Sequence, residues 1–587
     1  ILRTWKRLPR PVRATVHAVR ESAGVAYRAA RQGDLRGAGW QTLAILLQRQ
    51  AGLSDRNFAQ LKRLREQEAL RSHARKAPER TRRELTDKLA HLAGAVGTQH
   101  IDRVPLFRTM ARLERKRGND LIAATYLLRT LRWMGEDRRG DLPFVVATLA
   151  AHGFPREAEV ARAMFAPMPE AERERRCLDL MRGAYEANRS KPDLPLAIVD
   201  DRRGAAQPRV AVIASLYNAA DKLPTLLSML ARQSITQGAQ NQGALEIVLV
   251  DSNSPSDERG AFQAFAAANP ELPIVFARSA KRETIQAAWN RGIKLSRAPY
   301  LSFLGADEGL QPDALRQLAA VLDYDSRVDW AMANSLVTSV DRGGIYESDV
   351  MPYDRHGYRQ DLVYLETCYL SWVGGLYRRS IHDRFGYYDE SYRAAGDTEF
   401  KNRIMPHISS VHVPRMLGVS NNYPEERTTQ HPRAEIEDLR AWYLWRSAAG
   451  MRYAFALRPA EDVLALLRDC AGYRKSFCRH LSTDFDLADA LGRYLLTRPD
   501  LPPGAEAAAR AGIEGLASLR ALDCLPIEAK ADRHGIARIR AGYRRLTAFL
   551  GLATRHRAAF GLDAPPPYEA FNDNRFEQHW WAWRAVP

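Results

Sequence analysis

The chain has 587 residues, a formal net charge of +18, 45% hydrophobic and 27% charged residues. That length exceeds a single hydrophobic core and predicts about three domains, while the composition excludes a disordered or fibrous chain. No apolar run approaches the ~18–20 residues needed to cross a bilayer, so no spanning helix is predicted.

The positive charge is open to two readings. A basic surface suits nucleic acid, an anionic membrane or phosphorylated ligands; an arginine-rich helical composition gives the same excess without a partner. No nucleic-acid-binding module or aromatic platform is recognisable, and nucleic acid is not expected as a partner. The cysteines, Cys177, Cys368, Cys470, Cys478 and Cys524, are scattered and lack metal-ligand spacing. That pattern predicts reduced thiols in a cytoplasmic protein rather than a disulfide framework. The first residue is Ile1 rather than Met, which leaves room for a targeting segment ahead of it.

Residues 1–200 are expected as a helical domain. Pro11 suits a first helical turn, and Val12, Val16 and Val19 follow at helical spacing, ringed by Arg3, Lys6, Arg7, Arg10, Arg13 and Arg20. Such a helix either lies on an anionic membrane surface or turns its apolar stripe to a core. Gly33 with Ala38, Gly118 with Ala123 and Gly153 with Ala158 repeat a glycine–alanine pattern. The spacing of the last two copies is close to that of helix-hairpin repeats and predicts a tetratricopeptide-like array suited to protein partners.

Polar, proline-bearing linkers at 188–195 and 200–208 close this region. Beyond them, 210–215, 245–251, 272–277 and 300–304 read as strands separated by helices, as a mostly parallel sheet requires. A longer strand over 328–340 leads to a turn at 341–344 and a short return strand. From about Arg440 the pattern is helical again, with Val463, Leu466 and Leu467 at i, i+3, i+4 spacing. The aromatic tail from His579 to Trp583 is either a packed anchor or an interface belt. The predicted domains are 1–200, 207–440 and 441–587, the middle one α/β and the outer two helical.

Chemistry concentrates where the strand Tyr300–Leu304 delivers Asp307 and Glu308 to a turn. Ligands of open α/β sheets sit beyond the carboxyl ends of the strands, and divalent cations that bridge phosphates take one or two protein carboxylates. The feature reads as a metal–nucleotide site. Trp289-Asn290-Arg291-Gly292-Ile293, followed by Phe303-Leu304-Gly305-Ala306-Asp307-Glu308, resembles the inverting glycosyltransferases of family 2. In that family an Asn-x-Gly-Ile helix leads into a strand ending in an Asp-x-Asp motif. Gly305 stands where the family has its first Asp, and Asp307 matches the second, which the family uses on the metal.

The resemblance spans about residues 208–440 and implies a GT-A fold, a nucleotide-sugar donor (a UDP-sugar first) and Mg²⁺ or Mn²⁺ as cofactor. By the same resemblance Tyr217 and Asn218 cradle the base, Asp251 accepts from base or ribose, and Asn290, Arg291 and Ala306 border the donor. Glu308 and His431 would join Asp307 on the metal. Trp372 to Arg379 and Phe385 to Phe400 resemble the acceptor loop and the acidic motif. Inversion needs a carboxylate behind the attacking hydroxyl; Asp397 matches that base, with Glu399 beside it. The implied function is inverting sugar transfer to a glycan or lipid-linked acceptor in bacterial surface polysaccharide synthesis. The expected location is cytoplasmic, with peripheral contact at the inner face of the membrane. The rival reading is a non-catalytic adaptor, helical repeats around a degenerate transferase domain. Gly305 and the helical flanks favour it, whereas Asp251, Asp307 and Asp397 standing together argue against it.

Overall fold

A computed structural model of the chain describes residues 104–131, 140–237, 243–340, 346–352, 373–422, 432–461, 463 and 482–514, apart from 508 and 512. The basic N-terminal stretch, Gly33, Ala38, the 341–344 turn, His431, Leu466, Leu467 and the aromatic tail lie outside these residues.

Five helices come first: α1 (Val104–Lys116), α2 (Asp120–Leu131), α3 (Leu142–Ala151), α4 (Pro155–Phe165) and α5 (Glu170–Arg189). Gly118 and Gly153, with φ of 78° and 84°, occupy the turns between α1 and α2 and between α3 and α4. Ala123 and Ala158, in the helix after each turn, are fully buried.

The α/β region continues with β1 (Ala197–Asp201), β2 (Val210–Leu216), α6 (Leu223–Ala231), β3 (Leu245–Asp251), α7 (Glu258–Ala268) and β4 (Ile274–Arg278). It proceeds through α8 (Ile285–Leu295), β5 (Tyr300–Leu304), β6 (Glu308–Leu310), α9 (Ala314–Tyr324), β7 (Trp330–Val340) and β8 (Tyr346–Pro352). Next come β9 (Gly375–Arg378), α10 (Ser380–Phe385), α11 (Gly396–Ile404) and β10 (Ser410–Asn422). The described strands form one mixed sheet in the order β1-β4-β3-β2-β5-β9-β7-β10-β6, with β8 on β7.

Strands β4, β3, β2 and β5 are parallel neighbours. Every residue of β3 and β5 is buried, as befits parallel strands covered on both faces. One face packs against α6, α7 and α9 through residues such as Leu227, Phe262 and Leu318. The other packs against α8 and α11 through Ala288, Ile293 and Phe400. A Cβ added at Gly292 of α8 would overlap Ile213 Cγ2 on β2. The glycine of the Asn-x-Gly-Ile segment therefore sets how closely this helix can lie on the sheet.

After the sheet come α12 (Pro432–Asp438), a π-helical segment (Leu439–Tyr443), α13 (Ala448–Phe455) and α14 (Ser482–Leu495). Ile436, Leu439, Leu444, Trp445 and Ala449 share one core with residues of α2 to α5, among them Leu127, Val145 and Met181. Ion pairs Arg129–Glu435 and Arg452–Glu174 cross the same junction. Helices α2 to α5 and the segment from Ile436 to Ala449 thus share one core. Among the described residues, no helix is long and apolar enough to cross a membrane.

Candidate active site

From β2 the chain runs outward to β3 and β4, then returns to the other side of β2 as β5. That reversal opens a crevice at the carboxyl ends of β2 and β5. Among the described residues, two non-glycine residues have positive φ, Asn218 (52°) and Asn253 (56°), and they follow β2 and β3 at this edge. Asparagine tolerates that conformation better than most residues, and such strain gathers at ligand sites.

The two loops are knitted together by buried polar groups. Ser254 Oγ accepts from Asn218 N–H at 2.9 Å. Glu258 accepts from Ala219 N–H at 2.8 Å and from Ser256 Oγ at 2.7 Å. Asp251, fully buried, accepts from Ser254 N–H at 2.8 Å and pairs with Arg278 at the end of β4. Burial pushes the Asp251 carboxyl up, against the opposing pull of Ser254 N–H and Arg278. Burial would also raise Glu258, but its hydrogen bonds prevail and hold it below the usual range. Arg282 stacks 4.0 Å from the centre of the Tyr217 ring, giving the crevice a cationic wall.

On the other side of the switch, β5 ends in a turn in which Glu308 accepts from Gly305 N–H at 2.6 Å. A Cβ at Gly305 would lie 2.9 Å from Asp307 Oδ1, so glycine makes room for the Asp307 carboxylate. The first turn of α11, which carries Asp397, abuts the first turn of α8: a Cβ at Gly396 would overlap the Gln286 side chain. Beneath it, Trp289, Phe303 and Tyr388 pack with ring centroids 5.0–5.8 Å apart. Asp397 thereby shares the sheet edge that carries Asp251 and Asp307. Its carboxylate bonds Lys401 Nζ at 3.1 Å and keeps 29% of its side-chain surface exposed.

The family model described as glycosyl transferase family 2 matches residues 211–386. A PGL/p-HBAD biosynthesis glycosyltransferase of Mycobacterium bovis (strain BCG / Pasteur 1173P2) is 28% identical over 204 residues, 34% of this chain and 70% of the relative. The same values hold for PGL/p-HBAD biosynthesis glycosyltransferase Rv2957 of Mycobacterium tuberculosis (strain ATCC 25618 / H37Rv). The chain contains a family 2 glycosyltransferase domain. Solved structures similar to the chain include S. aureus TarS 1-349 in complex with UDP-GlcNAc, at 18% identity over 57% of this chain and 92% of that one, with a TM-score of 0.36. Mannosyltransferase PcManGT from Pyrobaculum calidifontis, in complex with GDP-Man and Mn2+, is 16% identical over 67% and 99%, with a TM-score of 0.28. The assignment rests on the family match and on the mixed α/β sheet of the transferase domain, which is the GT-A fold.

The structure sorts the expected site residues. Tyr217, Asn218, Asp251, Ala306, Asp307 and Asp397 stand at the crevice edge. Three others serve the scaffold. Arg291 is held by Glu283 and by the carbonyls of Leu194 and Pro195, at 3.2 and 3.1 Å, on the outer side of α8. Asn290 is buried, its amide on Tyr388 O at 2.9 Å and Glu390 Oε1 at 2.8 Å. Glu399 is 1% exposed and gives both carboxylate oxygens to Arg403 at 2.9 and 3.2 Å, which removes it from proton transfer. Asp257 caps α7 through Gly260 N–H at 2.9 Å. Arg278, Arg282 and Glu258 escape the sequence reading. The legible signal for Arg278 was its place at a strand end, in register with Asp251.

Among the described residues, no group of three or more His, Cys, Asp or Glu is arranged to hold a metal ion. The donor set present, Asp307 with Glu308 beside it, fits a cation that takes most of its ligands from phosphate and water. One Glu308 oxygen is engaged by Gly305 N–H.

Proposed function

We propose that the transferase domain moves a sugar from a nucleotide-sugar donor to a glycan or lipid-linked hydroxyl with inversion, in surface glycan synthesis. What supports this reading is the carboxyl edge of β2, β3 and β5, which runs out into Tyr217, Asp251 and Asp307, with the first turn of α11 packed against that of α8. The strained Asn218 and Asn253 loops and the Arg282–Tyr217 stack form a wall for base and ribose. Asp397 accepts the proton of the acceptor hydroxyl as that oxygen bonds to the anomeric carbon. The bond from this carbon to the phosphate oxygen breaks on the opposite side, and the nucleoside diphosphate leaves with the electron pair. A bound Mg²⁺ or Mn²⁺ at Asp307 would supply Lewis-acid neutralisation of the diphosphate. The relatives are named as glycosyltransferases of PGL/p-HBAD biosynthesis, which supports sugar transfer.

The test is calorimetric binding of UDP-N-acetylglucosamine, UDP-glucose, GDP-mannose and a dTDP-sugar, with and without Mn²⁺. One donor is expected to bind in a metal-dependent manner, and Asp307→Ala to weaken it at least about tenfold, roughly 1.4 kcal/mol. Failure of every donor in both conditions would move the reading to the adaptor.

A further inference from the structure

We propose that Glu437 is a positioning residue for Asp397. This inference rests on the proposed role of Asp397 as the base. Helix N-termini leave N–H groups unpartnered, and a side-chain oxygen at the cap normally takes one of them. The residue before α11 is Ala395, which has no such oxygen. Glu437, on α12, instead holds the N–H of Ala395 at the cap and those of the two residues before it: Arg393 N–H donates to both of its oxygens at 3.1 Å, Ala394 N–H to one at 2.8 Å and Ala395 N–H at 3.0 Å. Three successive peptide N–H groups therefore converge on one carboxylate that is 2% exposed.

Asp397 is the second residue of α11, two positions past the last of these N–H groups. The direction in which its carboxylate leaves the helix is set by the peptides that Glu437 holds. Arg440 fixes the run just upstream, bonding Asp389 at 2.8 Å and Ser391 Oγ at 3.0 Å with its guanidinium 3.7 Å from the Tyr392 ring centre. It is itself anchored on Glu157 of α4 at 3.0 Å. Arg440 sits in the π-helical segment, a distortion that recurs at functional sites. Residues 389–395 are thus gripped from the helical layer, and the placement of the base depends on side chains of that layer.

The conservative variant Glu437→Gln sets an amide NH₂ against the backbone donors. The probes are UDP-N-acetylglucosamine, UDP-glucose and GDP-mannose with Mn²⁺, with turnover read as nucleoside diphosphate released to water. Misplacing a reacting group by about 1 Å costs about 10²-fold, and a fall of that order in kcat is expected. The KM for the donor should stay within about twofold, and Glu437→Asp, which keeps the charge on a shorter arm, should lie between. Exchange of the 393–397 amides, which needs no substrate, should rise about tenfold. Unchanged exchange, unchanged kcat, or kcat and donor affinity lost in parallel would overturn the proposal. Asp397→Asn separates the two ideas. If it retains turnover, the base reading fails and this inference with it; if it is inactive while Glu437→Gln is fully active, the positioning role alone fails.

Discussion

Two carboxylates near the start of α11 sit two residues apart in different surroundings. Glu399 and Arg403 are an enclosed pair, and Arg403 also donates to Tyr387 O at 2.7 Å and to Phe385 O. Removing one partner of such a pair leaves a buried charge uncompensated, at a cost of about 3–5 kcal/mol. Glu399→Gln is therefore expected to lower the denaturant midpoint sharply, whereas Asp397→Asn, on a partly exposed side chain, should leave it nearly unchanged and lose turnover. Equal midpoints for the two variants would contradict this division. At Gly305 the expectation is just as concrete. Gly305→Ala places a methyl against Asp307 Oδ1 and should weaken metal-dependent donor binding several-fold; unchanged titrations would refute the steric account. At this scale the strand ahead of Asp307 was legible because its apolar run is local. Glu437 and Arg440 were illegible because their partners, Ala395 and Asp389, lie 42 and 51 residues away.

The close seating of α8 on the sheet comes from a single missing side chain. Gly292→Ala would drive a methyl into Ile213 and cost about 1–3 kcal/mol by overpacking. Ile213→Ala in the same chain should recover part of that loss, and strictly additive midpoints would contradict direct contact. Between β9 and α11, Tyr377, His382 and Tyr388 form a buried chain: His382 Nε2 lies 2.8 Å from Tyr377 Oη, which lies 3.2 Å from Tyr388 Oη. Gly386 O, 3.1 Å from Nδ1, can only accept, which assigns the proton to Nδ1 of a neutral ring. Burial pushes the His382 pKa down to about 3. Above about pH 6.5 folded and unfolded chains both carry it neutral; below, only the unfolded chain takes the proton. Stability is expected to fall as pH drops from about 6.5 towards 3, by up to about 1.4 kcal/mol per unit from this group. His382→Gln should flatten the decline, and an unaltered slope would count against it. The strands β2 to β5 were legible because each is a continuous apolar run. Strand β1 was not, being a short, half-exposed edge inside a proline-flanked stretch. Nor was β10, whose Pro414 falls at a break in its pairing with β7.

Across the whole molecule, helices that are distant in sequence share one core behind the catalytic edge, with Arg440 at the junction of α4, the 389–392 run and the π segment. Glu157→Ala removes one hydrogen-bonded charge from Arg440 and should cost about 1.5–3 kcal/mol. It should also raise amide exchange in 389–395, remote in sequence from the substitution; exchange confined to α4 would show that the layer is not coupled to the site. The central claim is inverting transfer by Asp397 from a donor held at the β2–β5 crevice. Proton NMR of the sugar freshly released from an α-linked nucleotide sugar, for wild type and Asp397→Asn side by side, tests it most directly. The account expects the β-anomer to appear first, at a rate about 10²–10⁴-fold lower in the variant. First appearance of the α-anomer, or undiminished turnover in Asp397→Asn, would contradict it.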